Sequence, residues 1–414
     1  MLARIFCATV VFAALLLAVC AQATDKETIL YNFNDNSEST VNPWGGLMED
    51  QAGNFYGVAL PGTLFELSAT DSGTWKYTEL YACNYDPDCS YPFGSLAMDE
   101  AGNLYTSTYF GNVLEYSPGG SSGWSVTTLS SLNAPSPVIL DSAGDLYGVT
   151  AGGGANGMGE VFELSPSSGA SWALTNLHDF KGSDGAGNNS NDSDGQIGGL
   201  IMDSAGNLYG VTGGGGSSTK CASGCGVVFE LSKNNSGAWT ETVLHTFTRK
   251  DGYNPDASLF MDANGNLYGT TASGGSGGYG TVFETSQVSG KWQTHDLYSF
   301  TSHVHDGAYP NTALIMDDSG NLYGTTISGG GSYGCSVGGT TLDTGCGTAF
   351  ELSPSGSGWT ETILQDFSGG GNGAFPGGLI FGPGGNLYGI TDGGGHAGVG
   401  NFIELSPASA KAEK

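Results

Sequence analysis

The first candidate for chemistry is a pair of histidines in a polar segment. His303 and His305 are separated by one residue and are followed by Asp306, so an extended backbone would place both imidazoles on one side. Imidazole and carboxylate groups are common metal ligands, which makes the segment a candidate binding site. The alternative is that these are solvated loop residues. The histidines that fall in predicted strands are expected on the outer edge of the fold rather than as ligands: His178, His245 and His295.

The second candidate is a run of oxygen-bearing side chains. Asp192 and Asp194 belong to the pattern Ser-x-Asp-x-Asp-Gly, which resembles half of a calcium-binding loop. The closing glutamate of such a loop is missing, because the twelfth position is Ile201. The sequence therefore predicts no cofactor apart from a loosely held calcium ion at these two carboxylates.

Aromatic residues in the polar segments suit a third kind of chemistry, the stacking of sugar rings. The candidates are Tyr253, Tyr279, Tyr309 and Tyr333. The sequence has no nucleophile elbow, phosphate-binding loop, dinucleotide fingerprint or zinc-protease motif, so a non-catalytic binding protein is the first hypothesis. A polysaccharide hydrolase or lyase is the alternative, because a ring-shaped fold could bring distant carboxylates together. A purely structural surface or matrix protein is the third hypothesis.

A repeated motif defines the structural units between which these candidate residues lie. Variants of the pattern D-x-x-G-N-L-Y-G-x-T occur seven times, at spacings of 42 to 65 residues. Gly382 replaces the aspartate in the last copy. Each asparagine of the motif, or the aspartate that replaces it once, is followed two residues later by tyrosine: Asn54, Asn103, Asp145, Asn207, Asn266, Asn321 and Asn386.

Each copy lies in a unit of four short runs rich in β-branched and aromatic residues. In the fourth unit these runs, called strands A to D, cover 199–202, 208–212, 227–231 and 239–247. Gly206 fits the positive φ of a short hairpin between A and B. No useful window has helical periodicity, so the fold is predicted to be all-β. Four-strand repeats of this length predict a β-propeller with antiparallel blades.

The two ends of the chain complement each other. The last unit has strands A to C but stops at Ser406-Pro407 without a strand D. Residues 27–33 supply the match, since Glu27-Thr28-Ile29-Leu30 corresponds to Glu361-Thr362-Ile363-Leu364. We therefore predict one seven-bladed domain over 24–406, in which 27–33 closes the ring as the outermost strand of the last blade.

The N-terminal region has the features of a secretory signal. Residues 1–23 contain Arg4, an apolar run from Phe6 to Val19 and the small-residue site Ala21-Gln22-Ala23. The alternatives are a membrane anchor and a lipoprotein signal. Removal of the signal would leave no membrane span, and the polar residues 407–414 are expected to be a disordered tail.

Six cysteines remain beyond the signal, in three local pairs. Export permits disulfides, and each pair lies within a single predicted loop. The predicted bridges are Cys83–Cys89, Cys221–Cys225 and Cys335–Cys346, although six cysteines allow 15 pairings. A metal site is the alternative for these cysteines.

The connectivity of the strands predicts where the long loops lie. In a four-stranded meander the B–C and D–A loops emerge on one face, so all three cysteine pairs and the long loops share the face where binding is expected.

The charge balance restricts the partners. The net charge is −29, from 11 Lys and Arg against 40 Asp and Glu. Nucleic acids and anionic membranes require basic surfaces and are therefore not expected as partners. An extracellular glycan or protein is the predicted partner, and the sequence does not indicate an oligomeric state.

The full repeat unit resembles a known family. The unit D-x-x-G-N-L-Y-G-x-T, followed by V-F-E-L-S-P and W-T-E-T-x-L-x-x-F, is similar to the choice-of-anchor tandem repeat of GloVer type. Its best copies cover 203–247, 262–300 and 317–367. The resemblance implies an exported bacterial propeller, secreted, periplasmic or at the cell surface, and implies no catalytic residues. Family members often carry a C-terminal surface anchor, and this chain departs from that pattern because residues 407–414 contain neither a hydrophobic tail nor a sorting motif.

Overall fold

A computed structural model describes residues 26–33, 42–119, 123–167, 171–187, 198–301, 305–331, 335–337, 340–342, 344–356, 358–396 and 398–407. These residues form a seven-bladed β-propeller of antiparallel sheets, as predicted. The predicted signal at 1–23 and nearly all of the predicted tail at 407–414 lie outside the described residues. No helix within the described part of the chain is long and apolar enough to cross a membrane.

The strands follow one another around the ring in chain order. The first strand and the first three blades consist of β1 (Lys26–Asn32), β2 (Asn42–Glu49), β3 (Phe55–Leu60), β4 (Thr63–Ala69), β5 (Trp75–Ala82), β6 (Pro92–Met98), β7 (Leu104–Thr108), β8 (Asn112–Pro118), β9 (Trp124–Ser131), β10 (Ile139–Leu140), β11 (Leu146–Val149), β12 (Glu160–Pro166) and β13 (Trp172–Asp179). Blades four and five consist of β14 (Ile201–Met202), β15 (Leu208–Thr212), β16 (Val227–Lys233), β17 (Trp239–Thr246), β18 (Phe260–Met261), β19 (Leu267–Thr271), β20 (Thr281–Val288) and β21 (Lys291–Ser299).

In each of the last two blades the first strand is split into two segments. Blade six and its small loop hairpin consist of β22 (Gly307–Pro310), β23 (Ile315–Met316), β24 (Leu322–Gly329), β25 (Cys335–Val337), β26 (Thr340–Leu342), β27 (Thr348–Ser355) and β28 (Gly358–Asp366). Blade seven consists of β29 (Ala374–Pro376), β30 (Ile380–Phe381), β31 (Leu387–Gly393) and β32 (Asn401–Ser406), with one 3-10 turn at Pro383–Gly385.

The N-terminal strand closes the ring. β1 pairs antiparallel with β32, and the sheet order β1-β32-β31 confirms that residues from both chain ends share one blade. Phe33 is fully buried, and its ring lies 5.4 Å from that of Phe65 in the first blade. The prediction that 27–33 completes the last blade is confirmed, and the closing strand also packs against the blade that follows it.

The repeated aspartate fixes the A–B turn. Asp203 accepts hydrogen bonds at Oδ1 from the backbone N–H groups of Ala205 and Asn207, at 2.9 and 2.8 Å. Its Oδ2 accepts from Asn207 Nδ2 at 2.8 Å and from the Tyr209 hydroxyl at 3.3 Å. Burial acts to raise the pKa of Asp203, but these hydrogen bonds outweigh it and hold the pKa below its ordinary value. The aspartate of the motif therefore stabilises the A–B turn, and the asparagine and tyrosine of the motif serve the same structural role.

In the last blade a glutamate on the adjacent strand replaces the aspartate as the hydrogen-bond acceptor. Because Gly382 offers no carboxylate, Asn386 Nδ2 donates instead to Glu404 Oε1 at 2.8 Å, and the Tyr388 hydroxyl donates to Glu404 Oε2 at 3.3 Å. Glu404 lies directly across from Tyr388 in the adjacent strand. The asparagine and the tyrosine of the motif thus keep a carboxylate partner in this blade as well.

The long connections emerge on one face of the ring, which we call the loop face. The antiparallel order of each blade places the B–C and D–A loops there, and the two loop types bond to each other, as in the bridge between Tyr253 and Ser273. The structure joins the three cysteine pairs as predicted: Cys83–Cys89, Cys221–Cys225 and Cys335–Cys346. These bridges therefore tie loops of the loop face.

Candidate ligand-binding face

A cavity of about 290 Å³ lies where the first strands of the blades meet. Its lining comes from all seven blades, at the residues that lead into strand A and at the ends of two B strands. Small residues surround it because the blades approach closely: a Cβ at Gly377 would lie 2.2 Å from the carbonyl oxygen of Gly45. Since D–A loops enter strand A on the loop face, the cavity belongs to that face.

The cavity combines aromatic and polar groups. Trp44 and Phe375 supply aromatic surface, and Asp256, Asn311 and Asp392 supply oxygen atoms. Asn311 Oδ1 is buried without a hydrogen-bond partner among the described residues. A few convergent polar groups in an otherwise apolar and aromatic lining are typical of small-molecule sites.

Asp392 is an acidic group of this cavity with a perturbed pKa. Burial raises the pKa of its carboxyl to about 6. Its side chain forms no hydrogen bond with any of the residues that the structure describes. Asp256 lines the same cavity from blade five, so two carboxylates share the site. A carboxyl that titrates near neutral pH can donate or accept a proton, which is the requirement for general acid–base chemistry.

The structure brings together three of the tyrosines that the sequence indicated. Tyr279 and Tyr309 are in edge-to-face contact, with ring centroids 5.6 Å apart. The pKa of Tyr309 is raised, mainly by burial and to a smaller extent by the neighbouring hydroxyls of Tyr279 and Tyr253. The Arg249 guanidinium lies 5.3 Å from the centre of the Tyr253 ring. This tyrosine cluster (Tyr253, Tyr279 and Tyr309) is half-buried, while Tyr333 lies outside the described residues.

A more exposed set of aromatic residues lies on the loop face at blades one and two. Tyr91 contacts Phe110 edge to face at 5.3 Å, and Tyr109 contacts Phe110 at 5.7 Å. Their exposed fractions are 40%, 50% and 59% for Tyr91, Tyr109 and Phe110, and Tyr85 in the adjacent disulfide loop reaches 76%. We call these four residues the aromatic patch. Because single exposed apolar residues are ordinary but clustered ones are not, the patch is a candidate interaction surface.

Backbone geometry and hydrogen bonds hold the aromatic patch in place. Tyr85 and Tyr91 have φ angles of 64° and 59°, a left-handed conformation that is unusual for bulky residues. Asn112 Nδ2 donates to the carbonyl of Asp88 at 2.8 Å, which ties the disulfide loop to the strand that follows Phe110. The N–H of Tyr109 donates to the carbonyl of Tyr91 at 2.9 Å. Sequence reasoning missed this patch because its members come from two loops that only the sheet pairing joins.

The structure describes only part of the predicted histidine site. His303 lies outside the described residues, as do Asp192 and Asp194 of the predicted calcium loop. His305 is exposed and pairs with Asp366 at 3.2 Å. Asp306 is buried, where it accepts hydrogen bonds from the backbone N–H of Thr301 at 2.7 Å and from the Tyr298 hydroxyl at 3.3 Å. Asp306 thus holds its own loop, and the metal site at this segment stays a prediction.

Comparison with known proteins supports the repeat and the fold. The family model of the Gloeobacter/Verrucomicrobia repeat matches residues 113–337, which is more than half of the chain. A search of curated protein sequences gave no match. Among solved structures, YCF48 bound to D1 peptide has a TM-score of 0.51 at 12% identity, covering 93% of this chain and 98% of that one.

Two further solved structures are similar over less of the chain. A candidate oxidoreductase (glucose dehydrogenase) from Thermus thermophilus has a TM-score of 0.45 at 16% identity, covering 75% of this chain and 95% of that one. A gluconolactonase from Xanthomonas campestris has a TM-score of 0.42 at 14% identity, covering 74% of this chain and 88% of that one. At these identities the similarity concerns the fold and assigns no activity.

Proposed function

The chain belongs to the Gloeobacter/Verrucomicrobia repeat family, and we propose that it is an exported binding propeller that recognises a neutral polysaccharide on its loop face. The observation that carries the proposal is the aromatic patch of Tyr85, Tyr91, Tyr109 and Phe110. Exposed aromatic rings that are held in fixed positions stack on the apolar faces of sugar rings at a low cost in conformational entropy.

Charge favours a neutral ligand over an acidic one. The net charge of −29 repels polyanions such as nucleic acids or acidic polysaccharides. The oxygen-rich side chains of the central cavity, Asp256, Asn311 and Asp392, suit sugar hydroxyl groups, which donate hydrogen bonds to carboxylate and amide oxygens. We therefore expect one part of the glycan to stack on the aromatic patch and a terminal or branching sugar to enter the cavity.

Export is part of the proposal and is supported by the disulfides. Three bridges are consistent with an oxidising compartment, since cytosolic thiols are normally kept reduced. A purely structural surface protein would be expected to have a flat loop face, whereas this face holds a cavity of about 290 Å³. The cavity therefore favours a ligand over a merely structural role.

The proposal is tested by binding to a panel of neutral polysaccharides, such as glucans, xylans and mannans. Substitution of Tyr109 and Phe110 together by alanine should lower the affinity for the bound glycan by roughly tenfold or more, as expected for central aromatic contacts. The matched control is Leu174→Ala, which removes a residue 49% exposed on a blade edge and should leave the affinity unchanged. A panel without any binding, or a double variant that binds like the wild type, would contradict the proposal.

The second candidate function is hydrolysis of the same class of glycan in the cavity. It is favoured by Asp392, whose pKa is raised to about 6, and by a second carboxylate, Asp256, in the lining of the same cavity. In this case the release of reducing ends should depend on pH, and Asp392→Asn should abolish it while the aromatic patch still binds glycan. If the wild type releases no reducing ends from any glycan that it binds, the protein is a binding module.

A further inference from the structure

Three potential metal ligands meet on the outer rim between blades three and four. His178 lies on β13, Asp184 lies in the loop that follows it, and Glu241 lies on β17 of the next blade. One ligand atom from each lies within 4.8 Å of the other two, and no other group of three His, Cys, Asp or Glu does so among the described residues. This site is separate from the cavity and from the aromatic patch.

The geometry of the first two ligands suits a small metal ion. His178 Nε2 and Asp184 Oδ2 are 3.4 Å apart. Two ligands of a tetrahedral ion with bonds of about 2.0–2.1 Å are roughly 3.4 Å from each other, as in protein zinc sites. Asp184 is oriented for this role, because its other oxygen accepts a hydrogen bond from the backbone N–H of Lys181 at 2.7 Å.

The site contains a buried oxygen atom without a partner. Glu241 Oε1 is inaccessible to solvent and has no hydrogen-bond partner among the described residues, and His178 Nε2, which is also inaccessible, has only the long contact with Asp184 Oδ2 at 3.4 Å. A buried polar atom without a partner costs free energy, and such atoms in a native fold call for an explanation. His178 and Glu241 come from different blades, and each places a ligand atom within 4.8 Å of the other and of the Asp184 carboxylate.

At other blade boundaries the side chains at the equivalent positions form hydrogen bonds or ion pairs with each other. Between blades four and five, His245 Nε2 pairs with Asp251 Oδ2 at 2.9 Å, and Thr294 occupies the place of Glu241. Between blades five and six, the Tyr298 hydroxyl donates to Glu361 Oε2 at 2.8 Å. Only the boundary of blades three and four combines three ligating side chains at these positions in the described residues.

We propose that His178, Asp184 and Glu241 bind one Zn²⁺ ion, which joins the outer strands of blades three and four. An imidazole with two carboxylates favours zinc over calcium, which takes six to eight oxygen ligands. Three protein ligands leave a fourth position for water.

The experiment is a calorimetric titration of the untagged chain with Zn²⁺ after removal of metal by a chelator. The expected result is one ion per chain. His178→Gln and Glu241→Gln should each lower the affinity by more than about tenfold, since even loss of an outer-shell partner typically costs that much. His245→Gln, at the same strand position of the next blade, is the matched control and should bind like the wild type.

Thermal unfolding separates loss of the site from loss of the fold. In chelator, Glu241→Gln should be at least as stable as the wild type, because it neutralises a buried carboxyl. Zinc should raise the melting temperature of the wild type and not that of Glu241→Gln. The proposal is overturned if the wild type binds no zinc, if the Glu241 variant binds it equally well, or if His245→Gln loses as much affinity as His178→Gln.

Discussion

At the scale of single residues, a glycine and a phenylalanine act as a pair in most blades. Gly210 lies opposite Phe229 in the adjacent strand, and a Cβ at Gly210 would lie 2.7 Å from the edge of that ring. The same pair occurs as Gly57 with Phe65, Gly148 with Phe162, Gly269 with Phe283, and Gly324 with Phe350. The glycine therefore makes room for a large buried ring.

Blade two shows what happens when the glycine is replaced. There Thr106 occupies the glycine position, and the residue opposite is the smaller Leu114. We predict that Gly210→Thr destabilises the protein by about 1–3 kcal/mol through overpacking against Phe229. Adding Phe229→Leu should recover part of this loss, because the pair then matches blade two. A double-mutant cycle by chemical denaturation measures the coupling, and strictly additive effects would contradict this explanation.

The repeated aspartate illustrates how far the sequence alone could go. Its spacing from the asparagine and tyrosine predicted a turn, and the structure confirms the turn. The sequence could not indicate that both carboxylate oxygens are occupied, as in Asp203, because the bonds to Asn207 and Tyr209 depend on side-chain directions across the hairpin. Nor could it place Asp392 and Asp256 in the lining of one cavity, since that cavity forms only when seven blades close around an axis.

At the scale of elements, phenylalanines at the ends of the outer strands join neighbouring blades. Phe180 contacts Phe229 at 5.3 Å, Phe247 contacts Phe283 at 5.0 Å, and Phe300 contacts Phe350 at 5.3 Å. Phe33 and Phe65 form the same contact at the junction of the chain ends. The closing strand is thus attached by backbone pairing to one blade and by an aromatic contact to the next.

We predict that Phe33→Ala lowers the free energy of unfolding by about 3–5 kcal/mol, as expected for a fully buried phenylalanine. Phe247→Ala should cost a similar amount, because it removes an equivalent contact elsewhere in the ring. Ile29→Ala, on the same closing strand but 37% exposed, is the control and should have a much smaller effect. A melting temperature unchanged by Phe33→Ala would mean that the strand does not contribute to closure.

The disulfides act on loops rather than on the blades. The Cys335–Cys346 bridge spans a sequence separation of 11 residues and encloses the hairpin of β25 and β26. We predict that replacing both cysteines by serine lowers stability by about 2–3 kcal/mol at most in the loop-entropy model. Denaturation curves measure this loss, and peptide mapping without reduction should recover the three local pairs. A loss well above this range, or pairing between different loops, would show that the bridges hold the blades themselves.

At the scale of the whole molecule, the repeat made the ring predictable, whereas its surfaces were not. Seven copies of one motif and complementary chain ends were sufficient to predict seven blades and their closure. The aromatic patch was not predicted, because Tyr91 and Tyr109 are adjacent only through the pairing of a D–A loop with a B–C loop. The repeated motif therefore predicts the strands that all blades share, but not the surfaces formed by loops that differ between blades.

The acidic character of the chain determines how its stability should respond to pH. Burial raises the pKa of several carboxyls above their ordinary values: Glu27 and Glu241 to about 7, Glu361 to about 8, and Asp296 and Asp392 to about 6. Between the ordinary and the raised values the folded chain binds more protons than the unfolded chain. Its stability must therefore increase as the pH falls through that window and decrease as the pH rises.

Other carboxyls act in the opposite direction at lower pH. Although burial acts to raise their pKa, hydrogen bonds to the ionised form hold it below the ordinary value in Asp50, Asp99, Asp203 and Asp251. The stability that these groups contribute is present above their unfolded pKa and is lost as the pH falls through their folded pKa. Together, the carboxyls with a raised pKa and those with a lowered pKa predict a maximum of stability between about pH 4 and pH 6.

We predict that the melting temperature, measured in chelator, is highest near pH 5 and falls towards both pH 8 and pH 3. Glu361→Gln tests the alkaline side: an amide needs no proton, so the variant should lose less stability than the wild type between about pH 5 and pH 8. Glu100→Gln, which changes an exposed turn residue, is the control and should follow the wild-type profile. A melting temperature that rises steadily to pH 8, or a Glu361→Gln profile parallel to the wild type, would show that these buried carboxyls are already ionised in the folded protein.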